Sequence, residues 1–102
     1  MIKKGGYIYI ITNQHNTTLY IGVTSSLKKR IYEHREKLDY TSFSARYNLN
    51  KLVYYEFFQT IEEAIAREKQ LKGGSRKKKE AHINADNPEW KDLWEDIQEF
   101  WD

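Results

Sequence analysis

Two β-prone runs near the start of the chain, residues 7–12 (YIYIIT) and 18–24 (TLYIGVT), constrain its fold more than any other feature. Alternating aromatic and branched aliphatic residues give both runs the period of a strand. The residues between them, Asn13-Gln14-His15-Asn16-Thr17, are rich in turn formers, and the pattern predicts a hairpin. Pairing Thr12 with Thr17 sets Tyr9 opposite Tyr20 and Tyr7 opposite Gly22. One face then carries Ile8, Ile10, Leu19, Ile21 and Val23 and belongs against a core. The other carries Tyr7, Tyr9, Tyr20 and the bare backbone of Gly22, a face suited to close approach by a polar group.

Further along, the pattern predicts a helix over 27–38 capped by Ser25 or Ser26, a looser stretch over 39–50, and a third strand over 52–58. Thr60 and Glu63 form a T-x-x-E capping box for a helix running to Lys72. Gly73-Gly74 is expected to end that helix in a left-handed residue. Ser75 caps a basic helix over 76–83. Asn87 and Pro88 are expected to open a last helix, with Asn as cap and Pro at the first position. On it, Trp90, Leu93, Trp94, Ile97 and Trp101 recur at helical spacing and dock on the body.

With 102 residues the chain fits one domain, spanning 1–102. It has no cysteine, so neither disulfides nor thiolate zinc sites enter. No apolar run is long enough for a membrane span and no signal-peptide layout opens the chain, so a soluble, cytoplasmic protein is expected. The net charge of +2 conceals a division. Residues 1–79 carry 16 Lys and Arg against 7 acids, whereas residues 80–102 carry Lys91 against 8 acids. A basic body favours a polyanion partner, although an acidic end folded against that body would neutralise it.

Polar residues interrupt the apolar faces of two helices. Glu68 falls within the stripe of Ile61, Ala64, Ile65 and Leu71. An inward carboxylate is costly unless it is paired, hydrogen-bonded or bound to a cation. Its structural alternative is a salt bridge to Arg30 or a lysine. His34 falls within the stripe of Leu27, Ile31 and Leu38, with Arg30 one turn before it. Singly, such a histidine is a core residue and such an arginine a solvated charge. Together with the tyrosine face they supply a guanidinium for phosphate oxygens and a carboxylate for a cation, a set that favours phosphoryl chemistry.

The run Tyr7-Ile8-Tyr9, then Tyr20-Ile21-Gly22, with Arg30 and His34 following, resembles the GIY-YIG nuclease signature. The glutamate helix of that family is matched by Ala64-Ile65-Ala66-Arg67-Glu68-Lys69-Gln70-Leu71-Lys72. The segment Asn87-Pro88-Glu89-Trp90 with Asp92-Leu93 is similar to the end of short bacterial stand-alone members, relatives of the UvrC excinuclease N-terminal domain. Tyr7 stands where the name-giving glycine would, directly after Gly6.

The resemblance implies an α+β fold, a three-stranded antiparallel sheet flanked by helices, and metal-assisted hydrolysis of DNA. It implies that Glu68 holds Mg2+ (or Mn2+) and that Arg30 stabilises phosphate charge. Tyr9 or Tyr20 then deprotonates or orients water, and His34 polarises a tyrosine or contacts phosphate. Asn87 takes the place of the family's late asparagine, for which a helix cap is an adequate alternative. Lys28, Lys29, Arg76, Lys77, Lys78 and Lys79 are candidate phosphate contacts, or else solvated helix faces. A monomer that needs no small-molecule cofactor is expected. A DNA-structure-binding module of the same fold that does not cut is the rival reading.

Overall fold

The computed structural model describes residues 5–38 and 43–100. Its first two strands, β1 (Gly6–Thr12) and β2 (Leu19–Thr24), form the predicted hairpin, and β3 (Lys51–Phe58) pairs with the other side of β1. The sheet is antiparallel with order β2-β1-β3. The hairpin register differs from the predicted one. Thr12 pairs with Leu19, Ile11 with Tyr20, and Tyr9 with Gly22. The cause lies in the loop. The Asn13 side-chain oxygen accepts from the backbone N–H groups of Thr17 and Thr18, at 2.8 and 3.2 Å, while Thr12 Oγ1 donates to the Thr18 carbonyl at 2.7 Å. These bonds hold Thr17 and Thr18 in the loop. Because the slip is by two residues, every side chain keeps its expected face, but Gly22 replaces Tyr20 as the partner of Tyr9.

Both faces of the sheet are covered. Ile8, Ile10, Ile21, Val53 and Tyr54 pack with Ala64 and Leu71 of α3 (Ile61–Lys72) and Ile83 of α4 (Arg76–Asp86). Opposite, Tyr9, Ile11 and Leu52 pack with Leu27 and Ile31 of α1 (Leu27–Arg35), with Leu49 and with Ile97. The tyrosine face is therefore a second core over most of its area, since the apolar stripe of α1 and the C-terminal aromatics need burial as much as the sheet does. A bulge in β3 serves both sides. The register passes from Ile10–Tyr54 to Ile11–Leu52, leaving Val53 unmatched. The extra residue reverses the alternation, so Leu52 joins one core while Val53 and Tyr54 stay in the other.

The α3 capping box forms as predicted, with Thr60 and Glu63 satisfying each other's backbone donors. Ser75 caps α4, accepting from Lys78 N–H. Three expectations are corrected. First, α1 stops at Arg35 because Lys37 takes a left-handed conformation (φ 53°), with Lys37 and Leu38 donating to the His34 and Glu33 carbonyls. Leu38 is exposed in consequence. Second, Gly73 ends α3 with φ −76°, so no left-handed glycine is needed there. Third, among the described residues no α-helix follows Asn87. The backbone turns through Trp90 (φ 55°), and the described residues beyond it form a 3-10 turn, Glu95–Ile97. Tertiary bonds decide this, because Leu93 N–H donates to the Leu52 carbonyl and Asp92 accepts from Leu52 N–H. Trp90 packs on the α3–α4 core, and Leu93 and Trp94 on the α1 core. Trp101 lies outside the described residues. The looser stretch contains a short helix, α2 (Phe43–Arg46), and its first part, 39–42, is also outside them.

Candidate active site

The site is organised around Tyr9, whose side chain is 1% exposed in the middle of β1. A Cβ built on Gly22 would lie 2.3 Å from the Tyr9 Cζ and hydroxyl oxygen, so the ring rests directly on the bare β2 backbone. The Tyr9 hydroxyl meets His34 Nε2 at 2.9 Å, and His34 Nδ1 meets Ser44 Oγ of α2 at 2.8 Å. The Arg30 guanidinium pairs with Glu33 at 3.0 Å and lies close enough to Tyr9 to act on its hydroxyl electrostatically. In the arrangement that uses each donor once, Tyr9 donates to His34 Nε2 and Nδ1–H donates to Ser44.

Burial governs the charge states. It pushes the Tyr9 hydroxyl up to about 12, with Arg30 offsetting part of the rise and Tyr20 and Glu68 adding to it. Burial also lowers His34 to about 4, helped by the charge of Arg30 and opposed by Glu33. His34 is thus a neutral ring at physiological pH. Burial would lower Arg30 as well, but the hydrogen-bonded Glu33 carboxylate and the nearby Tyr9 outweigh that and hold it above its ordinary value. At rest the centre is a neutral phenol and a neutral imidazole beside a fixed guanidinium.

Glu68 comes from α3 and lies close enough to influence Tyr9 electrostatically. Its side chain is 15% exposed, and one oxygen contacts Lys72 Nζ at 3.0 Å, so the lysine salt bridge anticipated as its alternative is present. Tyr20 completes the cluster, its ring 6.4 Å from Tyr9 and 5.9 Å from His34. Lys72 Nζ lies 5.9 Å from the Tyr20 centroid. Tyr9, Tyr20, Arg30, His34 and Glu68, drawn from four elements, therefore meet. Among the described residues no group of three His, Asp or Glu side chains surrounds a point where a metal could sit.

The remaining candidates divide. Asn87 is 5% exposed, and its amide donates to the Val53 and Lys91 carbonyls at 3.1 and 2.8 Å while its oxygen accepts from Lys91 N–H. It closes the bulge of β3 and fixes the C-terminal segment, in place of the helix cap expected of it. Lys28 donates to the Gln98 and Phe100 carbonyls. Arg76 bonds the Thr17 and Asn16 carbonyls and Glu80, tying α4 to the hairpin loop. These two cations act as tethers. Lys29, Lys77 and Lys78 are exposed, and Lys79 borders a groove beside Tyr20.

Sequence reasoning missed Ser44 and Lys72. Ser44 lay in a stretch without periodicity. Lys72 stood four residues after Glu68, a spacing that signals an ion pair.

The model of the GIY-YIG catalytic domain family matches residues 5–81. The chain belongs to the GIY-YIG family. The matched span holds all five clustered residues and ends before Asn87. Similar relatives are a UPF0213 protein of Limosilactobacillus reuteri, 33% identical over 81% of this chain and 86% of its own length, and one of Bacillus pumilus, 34% identical over 81% and 83%. The solution NMR structure of the UPF0213 protein BH0048 from Bacillus halodurans superposes with a TM-score of 0.55 at 25% identity, covering 87% of this chain and 93% of that one. This GIY-YIG chain thus shares its α+β architecture, a three-stranded antiparallel sheet with helices, with that UPF0213 protein. No helix among its described residues is long and apolar enough to cross a membrane.

Proposed function

We propose that this GIY-YIG domain is a divalent-metal-dependent endonuclease that hydrolyses DNA phosphodiester bonds, branched or damaged DNA included. The observation that carries the proposal is the hydrogen-bonded Tyr9–His34 pair with the Arg30 guanidinium and the Glu68 carboxylate close enough to act on Tyr9. Glu68 fits a magnesium or manganese ion, because such ions are held by one or two carboxylates together with substrate phosphates and waters. The donor set suits a site completed by substrate rather than a preformed cage. When bound, the ion supplies Lewis-acid stabilisation of phosphate charge and acidifies water.

Each protein group then has a task. Arg30 stays charged throughout and faces the phosphate oxygens, where a preorganised donor lowers the barrier most. Tyr9, held at about 12, remains a phenol at neutral pH. It orients the attacking water, with His34 and Ser44 fixing its direction. Taking a proton from that water requires a cation to bring the phenol down, and Arg30 already acts in that sense. Tyr20 sits at the open side of the cluster and is the second candidate for handling the water. Lys79, Lys77 and Lys78 lie on the α4 side, where they can follow the strand backbone.

The decisive experiment is cleavage of supercoiled plasmid and a panel of branched DNAs with Mg2+ or Mn2+, by wild type and Glu68→Ala. Metal-dependent cutting that falls at least about a hundredfold in the variant is expected. The Lys72–Glu68 ion pair favours a second reading, a binding module whose carboxylate is occupied by a lysine. Binding that weakens with salt, without cutting in any metal, would establish that reading instead.

A further inference from the structure

Beside Tyr20 the protein carries an aromatic surface that neither core absorbs. The Tyr20 ring stacks on Phe43, with centroids 6.3 Å apart and planes 28° apart, and Phe43 contacts Tyr47 at 4.6 Å. Phe43 and Tyr47 are each 46% exposed. The Arg46 guanidinium lies 5.9 Å from the Tyr47 centroid. A groove of about 310 Å3 adjoins this surface, lined by Leu19, Tyr20, Ile21, Phe43, Lys72 and Lys79. Its volume is at the lower end of the roughly 300–1,000 Å3 usual for small-ligand sites. Its charged residues are both lysines.

Exposed ring faces next to two ammonium groups match one ligand chemistry, a flat π-system linked to an anion. A nucleotide has that chemistry, but a base inside a duplex is already stacked on both faces. Only an unpaired or displaced base offers a face to an aromatic side chain. Tyr20 belongs to both the groove and the reacting cluster, so a base held there adjoins the phosphate under attack. We infer that the Phe43–Tyr47 surface, with Lys72 and Lys79, holds an unpaired nucleotide, so that the protein selects DNA in which a single-stranded or displaced base adjoins the scissile phosphate. The inference rests on the proposed function in naming its substrate class, yet it is testable by binding alone.

The experiment measures affinity, with the metal chelated so that nothing is cut, for three short DNAs. These are a fully paired duplex, the same duplex with one unpaired nucleotide, and the single strand. 2-Aminopurine at the unpaired position reports stacking by loss of fluorescence. Wild type is compared with Phe43→Ala, with Phe43→Leu, which keeps apolar bulk without a ring face, and with Phe43→Trp, which keeps the face. Stacking on one aromatic residue predicts roughly tenfold to a hundredfold tighter binding of the unpaired substrates. The preference and the quenching disappear in the Ala and Leu variants and persist in Trp.

Equal affinity for the duplex overturns the inference, as does a preference unchanged in Phe43→Ala and Phe43→Leu. So does a wild-type dimer in light scattering that Phe43→Ala dissociates, because the patch would then be a contact between copies. Absence of binding to any DNA overturns this inference and the proposed function together. The expected binding pattern without cutting in any metal removes the hydrolase reading alone and upholds the recognition surface.

Discussion

Replacing Gly22 by alanine tests the geometry on which the site depends. The added Cβ would stand 2.3 Å from the Tyr9 Cζ and hydroxyl oxygen, where ordinary contact begins at 3.4 Å, so the ring must retreat by about 1.1 Å. Tyr9 is 1% exposed and cannot swing into solvent. A retreat of that size disturbs the 2.9 Å contact with His34 and, where it is directed away from that ring, lengthens it to about 4 Å, outside hydrogen-bond range. Displacing a positioned catalytic group by 1 Å costs on the order of a hundredfold in rate. Forcing a methyl group into a filled core costs about 1–3 kcal/mol. Single-turnover cleavage and the urea midpoint report the two effects separately. Because the clash is with the ring, Gly22→Ala added to Tyr9→Leu destabilises less than it does alone, a coupling of about 0.5–3 kcal/mol. Gly73→Ala is the control. Its φ of −76° suits any residue and the nearest atom to a Cβ is 3.5 Å away, so it is neutral or stabilising by up to about 1 kcal/mol. A Gly22→Ala protein with wild-type rate and midpoint would refute the reasoning.

Four further outcomes are expected. His34 is held near 4 in the folded protein against 6.5 when unfolded, so acid favours the unfolded state. Its contribution is constant above pH 6.5 and falls by about 1.4 kcal/mol per unit below it, reaching about 3 kcal/mol by pH 4. Urea unfolding at stepped pH checks this against His34→Gln, which should lack the slope above pH 4.5, where the lowered carboxyl of Glu56 has yet to contribute. Asn87→Ala leaves the buried Val53 carbonyl without its partner and should cost about 1–3 kcal/mol while the folded protein keeps its turnover. Full stability with lost turnover would put Asn87 in the chemistry. Lys77→Ala with Lys78→Ala should flatten the salt dependence of DNA binding by about 0.9 per lost phosphate contact. Arg76→Ala should lower stability and leave that slope alone, because its guanidinium is engaged with the Thr17 and Asn16 carbonyls.

The strand faces were legible because a period of two survives any even slip of register, and the hairpin slipped by two. The α3 capping box was equally legible, since Thr60 and Glu63 lie within one turn and need no tertiary partner. Glu68 and His34 announced themselves as polar residues in apolar stripes, a conflict that local pattern exposes. Less local features were hidden. Lys37 ends α1 in a conformation that sequence associates with glycine. The predicted last helix yields to hydrogen bonds between its own segment and Leu52 or Val53, more than thirty residues away in sequence.

By itself, then, the sequence determined the hairpin faces, the three main helices and which polar groups must be compensated, because these follow from short-range periodicity and capping. The tertiary structure decided what compensates them. It put Gly22 rather than Tyr20 beneath Tyr9, brought Ser44 to His34, and paired Lys72 with Glu68. It also turned Lys28, Arg76 and Asn87 into tethers and left Phe43 and Tyr47 uncovered beside the site. Those outcomes depend on distances between elements, which side-chain volume and long-range hydrogen bonding set only once the sheet, its bulge and both cores are assembled.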